Sequence, residues 1–222
     1  MNREIILSPS LLSANAENFA KEIIEVRDLG AKWLHYDIMD GHFVPNLSYG
    51  PHIVKCLSNY NMFNDVHLMV TDPVKYAPRF IEAGADLITF HYETVKDPIL
   101  ASQQIRQMSK KNIKVGLSIK PRTKVEDILD YVNFFDVILV MSVEPGFSGQ
   151  SFLPNSLYKI ERLRKYIDEH NLHTLIEVDG GINDKTIESV VNKGVDVVVT
   201  GSYLFSATNK KEVVDSILKY NK

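Results

Sequence analysis

Eight times over, this 222-residue chain sets a short apolar run beside a longer stretch with helical spacing. The runs are Ile5–Leu7, Trp33–Asp37, Val66–Val70, Leu87–Phe90, Val115–Ile119, Val137–Met141, Leu175–Asp179 and Val197–Thr200. Most are apolar throughout rather than alternating, as strands covered on both faces are. Between them the apolar residues return at helical intervals. Phe19, Ile23, Ile24 and Val26 form one side of a helix predicted over Ala14–Leu29, with Lys21, Glu22 and Glu25 on the other and Gly30 as its stop. Further helices are predicted over Pro51–Ser58, from Asp72 to Gly84, over Pro98–Lys110, after Thr123, and over Asn155–Glu169, Asp184–Lys193 and Lys211–Tyr220. Asp72 and Asp184 supply N-caps, and Thr123 with Glu126 reads as a capping box. Eight strand–helix units in this length predict a (β/α)8 TIM barrel, a single α/β domain over residues 1–222. An open doubly wound sheet would usually place a GxGxxG after its first strand, where this chain has Ser8-Pro-Ser-Leu-Leu12.

Such barrels build their active sites at the C-terminal ends of the strands. Read in order, those ends offer Ser10, His35 with Asp37, His67, His91, Lys120, Met141, Asp179 and Ser202. Side chains two apart on a strand share a face, so His35, Asp37 and Met39 point one way. An imidazole and a carboxylate are costly to bury without a partner, and a divalent metal is one. Two His and two Asp, giving nitrogen and oxygen donors, suit zinc, iron, manganese or cobalt better than calcium. Asp65 shares the face of His67 but sits early in its strand, which places it in the bottom layer or at the surface. His91 and Glu93 read as solvated loop residues, and Lys120 is given no role.

Asp37 and Asp179 end strands two and seven, three apart around an eight-stranded ring. Two carboxylates approaching one carbon from different sides can take a proton from one face and return one to the other, inverting the centre. Pro145–Gly149, Asp179–Gly181 and Thr200–Ser202 are small-residue turns whose backbone N–H groups suit a phosphate. Met39, Met69 and Met141 read either as core filling or as an apolar wall that keeps water from a reacting centre.

The formal net charge of −3, with no basic run, gives no sign of affinity for nucleic acid or membranes. The lone cysteine, Cys56, excludes an intramolecular disulfide and is expected as a buried structural thiol. No segment approaches the ~20 apolar residues that span a bilayer, and no leader pattern opens the chain. A cytoplasmic protein is expected.

The motifs that carry this chemistry resemble those of the ribulose-phosphate 3-epimerase family along almost the whole chain. They are Ser8-Pro-Ser10, His35-Tyr-Asp-Ile-Met-Asp-Gly-His-Phe-Val-Pro-Asn46, Asp65-Val-His-Leu-Met-Val70, Met141-Ser-Val-Glu-Pro-Gly-Phe-Ser-Gly-Gln-Ser-Phe152, Glu177-Val-Asp-Gly-Gly-Ile182 and Gly201-Ser202. The resemblance implies a homo-oligomeric barrel holding one divalent metal ion per chain, zinc being favoured. It implies interconversion of ribulose 5-phosphate and xylulose 5-phosphate, a step of the pentose phosphate pathway. By position, the metal ligands would be His35, Asp37, His67 and Asp179, with Asp37 the proton acceptor and Asp179 the donor. Ser10 and His67 would contact the sugar. Gly146, Phe147, Ser148, Gly149, Gly180, Gly181, Gly201 and Ser202 would hold the substrate, mainly its phosphate end. The chain departs from the family at Ser148, where glycine is usual.

The related allulose-6-phosphate 3-epimerases would share the metal site. Barrel decarboxylases of sugar phosphates carry an Asp-x-Lys-x-x-Asp strand, whereas Met39 stands two residues after Asp37 here. A barrel that only binds sugar phosphates would have no need of two opposed carboxylates.

Overall fold

A computed structural model describes residues 4–221. Its eight strands are β1 (Ile6–Pro9), β2 (Trp33–Met39), β3 (Phe63–Met69), β4 (Leu87–His91), β5 (Lys114–Ile119), β6 (Val137–Met141), β7 (Leu175–Asp179) and β8 (Val197–Thr200). They run parallel in the order β1-β8-β7-β6-β5-β4-β3-β2. A bridge between Ser10 and His35 joins β1 to β2, so the ring is closed by a single contact rather than a ladder. The helices are α1 (Phe19–Asp28), α2 (Pro51–Leu57), α3 (Pro73–Glu82), α4 (Pro98–Gln107), α5 (Asn155–Glu169), α6 (Ile187–Lys193), α7 (Ser202–Phe205) and α8 (Lys210–Leu218). This is the (β/α)8 barrel expected. No helix among the described residues is long and apolar enough to cross a membrane.

The main core lies between strands and helices, where Tyr36, Phe80 and Phe90 are almost wholly buried. The barrel interior is layered. Trp33, Leu87, Val137 and Val197, one from each even-numbered strand, form the bottom layer, as alternate strands do in such barrels. Above it the inward side chains turn polar: Ser8, His35, Asp65, Thr89, Ser118 and Glu177 are all buried. Met39 with Met69, and Met141 with Leu139, cap the interior at the top. The register sets the upper residues level, pairing Asp37 with His67, Met39 with Met69 and Met141 with Asp179.

Helix α5 spans Asn155–Glu169 as read from the sequence, and Asp72 caps α3 by accepting from the Lys75 N–H. Several expectations need correction. Helix α1 starts later than Ala14, because 3₁₀ turns at Leu11–Ser13 and Ala16–Asn18, opened by Ser10 and Asn15, take up the preceding residues. Ile23 and Val26 face the core and Ile24 does not. The segment after β5 is a 3₁₀ helix over Val125–Phe134 rather than an α-helix. Thr123 does not form the capping box, since its hydroxyl donates to Glu93 instead. Asp184 caps nothing: α6 begins at Ile187, and the turn before it is held by the Asn183 N–H donating to the Thr186 hydroxyl. Cys56 is exposed, not buried; Val54 and Leu57 are the buried positions of α2, and two residues on from Val54 lies the opposite side of a helix. The four-residue α7 carries no periodic signal and was not expected.

Candidate active site

Asp37 sits at the centre of the site. Its Oδ2 accepts from the Ser10 hydroxyl at 2.6 Å. Its Oδ1 lies 3.2 Å from His67 Nδ1 and 3.5 Å from His35 Nε2. Burial by itself would raise the Asp37 carboxyl, but the imidazoles of His35 and His67 outweigh it and hold the carboxyl well below its usual range. Asp179, at the end of β7, completes the group. One donor atom from each of His35, Asp37, His67 and Asp179 falls within 4.8 Å of the others. Burial, then the charge of Asp37, push the Asp179 carboxyl up to about 6. The two carboxyls are thus electrostatically unlike.

The donor set fits a divalent ion. His35 Nε2 is buried and has no hydrogen-bond partner, although its other nitrogen is bound. A cation among the four residues would satisfy that nitrogen and separate the two carboxylates.

Below the site lies a second buried group. His35 Nδ1 is 2.6 Å from Asp65 Oδ2 and 3.6 Å from Glu177 Oε1. Asp65, expected in the bottom layer or at the surface, is fully buried and not at the surface. Its contact with Nδ1 orients the ring so that Nε2 points towards Asp37. Burial would lower His35, but Asp65 and Asp37 raise it well above its ordinary value. Glu177 is raised well above the ordinary range by burial and by the Asp65 charge. His91 is also fully buried, and burial lowers its pKa to about 4. His91, the last residue of β4, is not the solvated loop residue the sequence suggested, whereas Glu93 lies past the strand and is exposed, bonding back to His91 and across to Lys120 and Thr123.

One cleft opens above Asp37 and Asp179. Ser10 lies on its β1 side, and Met39, Met69 and Met141 form its apolar wall. Gly146, Phe147, Ser148 and Gly149 overhang it from the loop after β6, and Gly180, Gly181, Gly201 and Ser202 line it from β7 and β8. His35 and His67 stand just beneath, fully buried. All the side chains expected at the site converge here. Asp65, Glu177, His91 and Glu93 were missed as parts of it. The pairs Asp65/His67 and Glu177/Asp179, each two apart on one strand face, were the available signal.

Residues 6–205 match the family model described as the ribulose-phosphate 3 epimerase family. Among curated proteins, the ribulose-phosphate 3-epimerase of Mycobacterium tuberculosis is 43% identical over 213 residues, covering 96% of this chain and 91% of its own. That of Synechocystis sp. is 42% identical over 221 residues, covering 98% and 94%. Among solved structures, the 3-hexulose-6-phosphate synthase of Salmonella typhimurium shares the fold, with a TM-score of 0.71 and 17% identity over 97% of this chain and 98% of its own. The chain belongs to the ribulose-phosphate 3-epimerase family and is an enzyme of the isomerase class.

Proposed function

We propose that Asp37 and Asp179 epimerise a ketose 5-phosphate at C3, interconverting D-ribulose 5-phosphate and D-xylulose 5-phosphate within the pentose phosphate pathway. The observation that carries this reading is the pair of carboxyls, delivered from strands three apart around the ring into one cleft and within 4.8 Å of each other. Asp37 takes the C3 proton from one face while Asp179 delivers a proton to the other, and the roles exchange in reverse. Ser10 orients Asp37 through its Oδ2. The methionine wall excludes water, so the proton is not lost to solvent midway. The N–H groups of the loops after β6, β7 and β8 take the phosphate end. His35, Asp37, His67 and Asp179 would hold one divalent ion, for which zinc is the favoured identity. When bound, that ion supplies positive charge against the negative charge that grows on the substrate oxygens as C3 loses its proton. We place the enzyme in the cytoplasm, as a homo-oligomer acting on a small sugar phosphate. The direct test is C3 hydrogen exchange and epimerisation of ribulose 5-phosphate in heavy water, with metal and with chelator. Absence of C3 exchange in the metal-loaded protein overturns the reading.

The metal reading makes a pH prediction. Binding requires Asp179 ionised and His35 Nε2 unprotonated. Both groups are raised in the metal-free protein, Asp179 to about 6. Asp179 therefore contributes to stability of the metal-free fold below its ordinary value of 3.8, and that contribution is lost as pH rises through about 6. Zinc affinity, and the rise in Tm that zinc produces, should both grow from pH 5 to 7, with protons released at pH 6. Calorimetry in two buffers of different ionisation enthalpy reads the protons. A flat affinity with no release at pH 6 removes the assignment.

Ser148 is exposed and hangs over the cleft. Ser148→Gly should change KM by about 2- to 10-fold, the reach of one hydrogen bond of about 0.5–1.5 kcal/mol, and leave kcat nearly unchanged. A large fall in kcat at constant KM would instead put Ser148 in the transition state.

A further inference from the structure

Two loops meet across the mouth of the cleft, one after β2 and one after β6, strands that stand opposite each other in the ring. The β2 loop is tied down at both ends. Its Asp40 carboxylate accepts from the N–H groups of His42, Phe43 and Thr71 and from the Thr71 hydroxyl. The Gly41 N–H donates to the Asn46 carbonyl at 3.0 Å. The Ser48 hydroxyl donates to the Asp37 carbonyl at 2.6 Å and accepts from the Met39 N–H at 3.1 Å. A loop bonded back to its own strand in this way keeps its place relative to Asp37.

The β6 loop is held less firmly from within. The Gln150 side-chain amide donates to the carbonyls of Glu144 and Phe147. The N–H groups of Phe147, Ser148 and Gly149 donate to no group among the described residues. These three residues are exposed, whereas Gly146 is buried.

Asn46 joins the two loops. Its Oδ1 accepts from the Leu47 N–H at 2.9 Å, which sets the amide the other way round for the β6 loop, and its Nδ2 donates to the Gly146 carbonyl at 2.8 Å. Val44 packs at the same point: a Cβ on Gly146 would lie 3.2 Å from the Val44 Cβ. A peptide carbonyl and the N–H that follows it share one plane and point opposite ways. With the Gly146 carbonyl held on the β2 loop, the Phe147 N–H is turned away from that loop.

We infer that Asn46 is a positioning residue for phosphate binding: it fixes the Gly146–Phe147 peptide, and so sets the Phe147 N–H as a donor to the phosphate group. The phosphate loop is thereby anchored to the loop that leaves the strand of Asp37. One contact then holds the two ends of the substrate site in register. For its ligand this inference rests on the proposed function; the contact between the loops does not.

Inorganic phosphate is the probe, followed in nitrogen-15 spectra of the full chain, which need no turnover. Phosphate should move the Phe147 N–H resonance of the wild type. Asn46→Leu keeps the bulk of the side chain and removes the donor. It should weaken phosphate binding by about 2- to 10-fold, the reach of one hydrogen bond, and reduce the Phe147 shift. KM for ribulose 5-phosphate should rise by a similar factor with kcat nearly unchanged; a merely structural role would lower kcat and Tm instead. Asn46→Ala removes the same donor and should show the same loss. Phosphate that leaves the wild-type Phe147 resonance unmoved overturns the inference, whatever the variants do. So does wild-type phosphate affinity in either variant, or a fall in kcat at constant KM. If phosphate moves Phe147 but the metal-loaded wild type does not epimerise ribulose 5-phosphate, the proposed function falls and the role of Asn46 stands.

Discussion

Asp179→Asn, once shown to retain its metal, is expected to lose epimerisation by about 10²- to 10⁴-fold, the usual contribution of one positioned acid or base. It should still exchange the C3 hydrogen of ribulose 5-phosphate with solvent, because Asp37 remains to remove it. Asp37→Asn should show the mirror behaviour, exchanging the C3 hydrogen of xylulose 5-phosphate without forming its epimer. The amides keep the shape of the side chains but remove the charge. At Asp37 that also withdraws the counter-charge from two buried imidazoles, so metal content has to be measured before rates are compared. A metal-loaded variant at either position that epimerises at near the wild-type rate would mean that a single base, or a bound water, performs both transfers.

The alternation of apolar runs and helical periods made the barrel legible, because its strands are buried on both faces and so lack polar residues in most positions. The upper rim was legible for a related reason. His35, Asp37, His67 and Asp179 are out of place in apolar strands unless something holds them. The same logic, pressed one step further, reaches the residues that were misread. Along β4, Leu87, Thr89 and His91 share the inward face, with Leu87 in the bottom layer. His91 is therefore as firmly inside as Asp37, which stands four residues above Trp33 on β2. The apolar run ends at Phe90 but the strand continues to His91, and that one-residue difference in boundary turns a solvated loop histidine into a buried one. Asp65 differs by height rather than face: a carboxylate low in a strand reads as bottom layer or surface, yet here it meets His35 inside. The capping box at Thr123 failed because its hydroxyl is taken by Glu93 from across the fold, which no local pattern reports; Cys56 failed within its own helix, where it lies opposite the buried Val54 and beside His52 one turn back.

The barrel alone does not specify this chemistry. The 3-hexulose-6-phosphate synthase of similar fold is only 17% identical, so the likeness extends to architecture and no further. On the inward face of β2 in this chain, Met39 stands two residues after Asp37 and closes the top of the strand. An apolar side chain there leaves Asp37 and Asp179 as the groups with protons to exchange over that part of the cleft, which suits proton transfer on both faces of one carbon.

Gly180→Ala is expected to destabilise the fold and weaken activity together. Gly180 follows Asp179 directly and has φ of +118°, in the region that favours glycine. A Cβ there would lie 2.5 and 2.8 Å from the γ-carbons of Val143 and 2.9 Å from its backbone nitrogen. The backbone contact cannot be relieved by turning a side chain. The Ser142 hydroxyl, which bonds the carbonyls of Asp179 at 2.8 Å and Gly180 at 2.6 Å, ties the turn down on the same side. Strained backbone costs about 1–3 kcal/mol and an overpacked contact about 1–3 kcal/mol more. A loss of about 3 kcal/mol should lower Tm by about 6–12 °C in a domain of this size. Any relief must come from movement of the turn, which carries Asp179 with it, and displacement by about 1 Å is enough to cost about 100-fold in rate. Thermal unfolding and kcat/KM measured on the same preparation check both halves. A variant with unchanged Tm and unchanged kcat/KM would mean that the turn accepts a side chain after all, and that the close approach of Val143 does not set the position of Asp179.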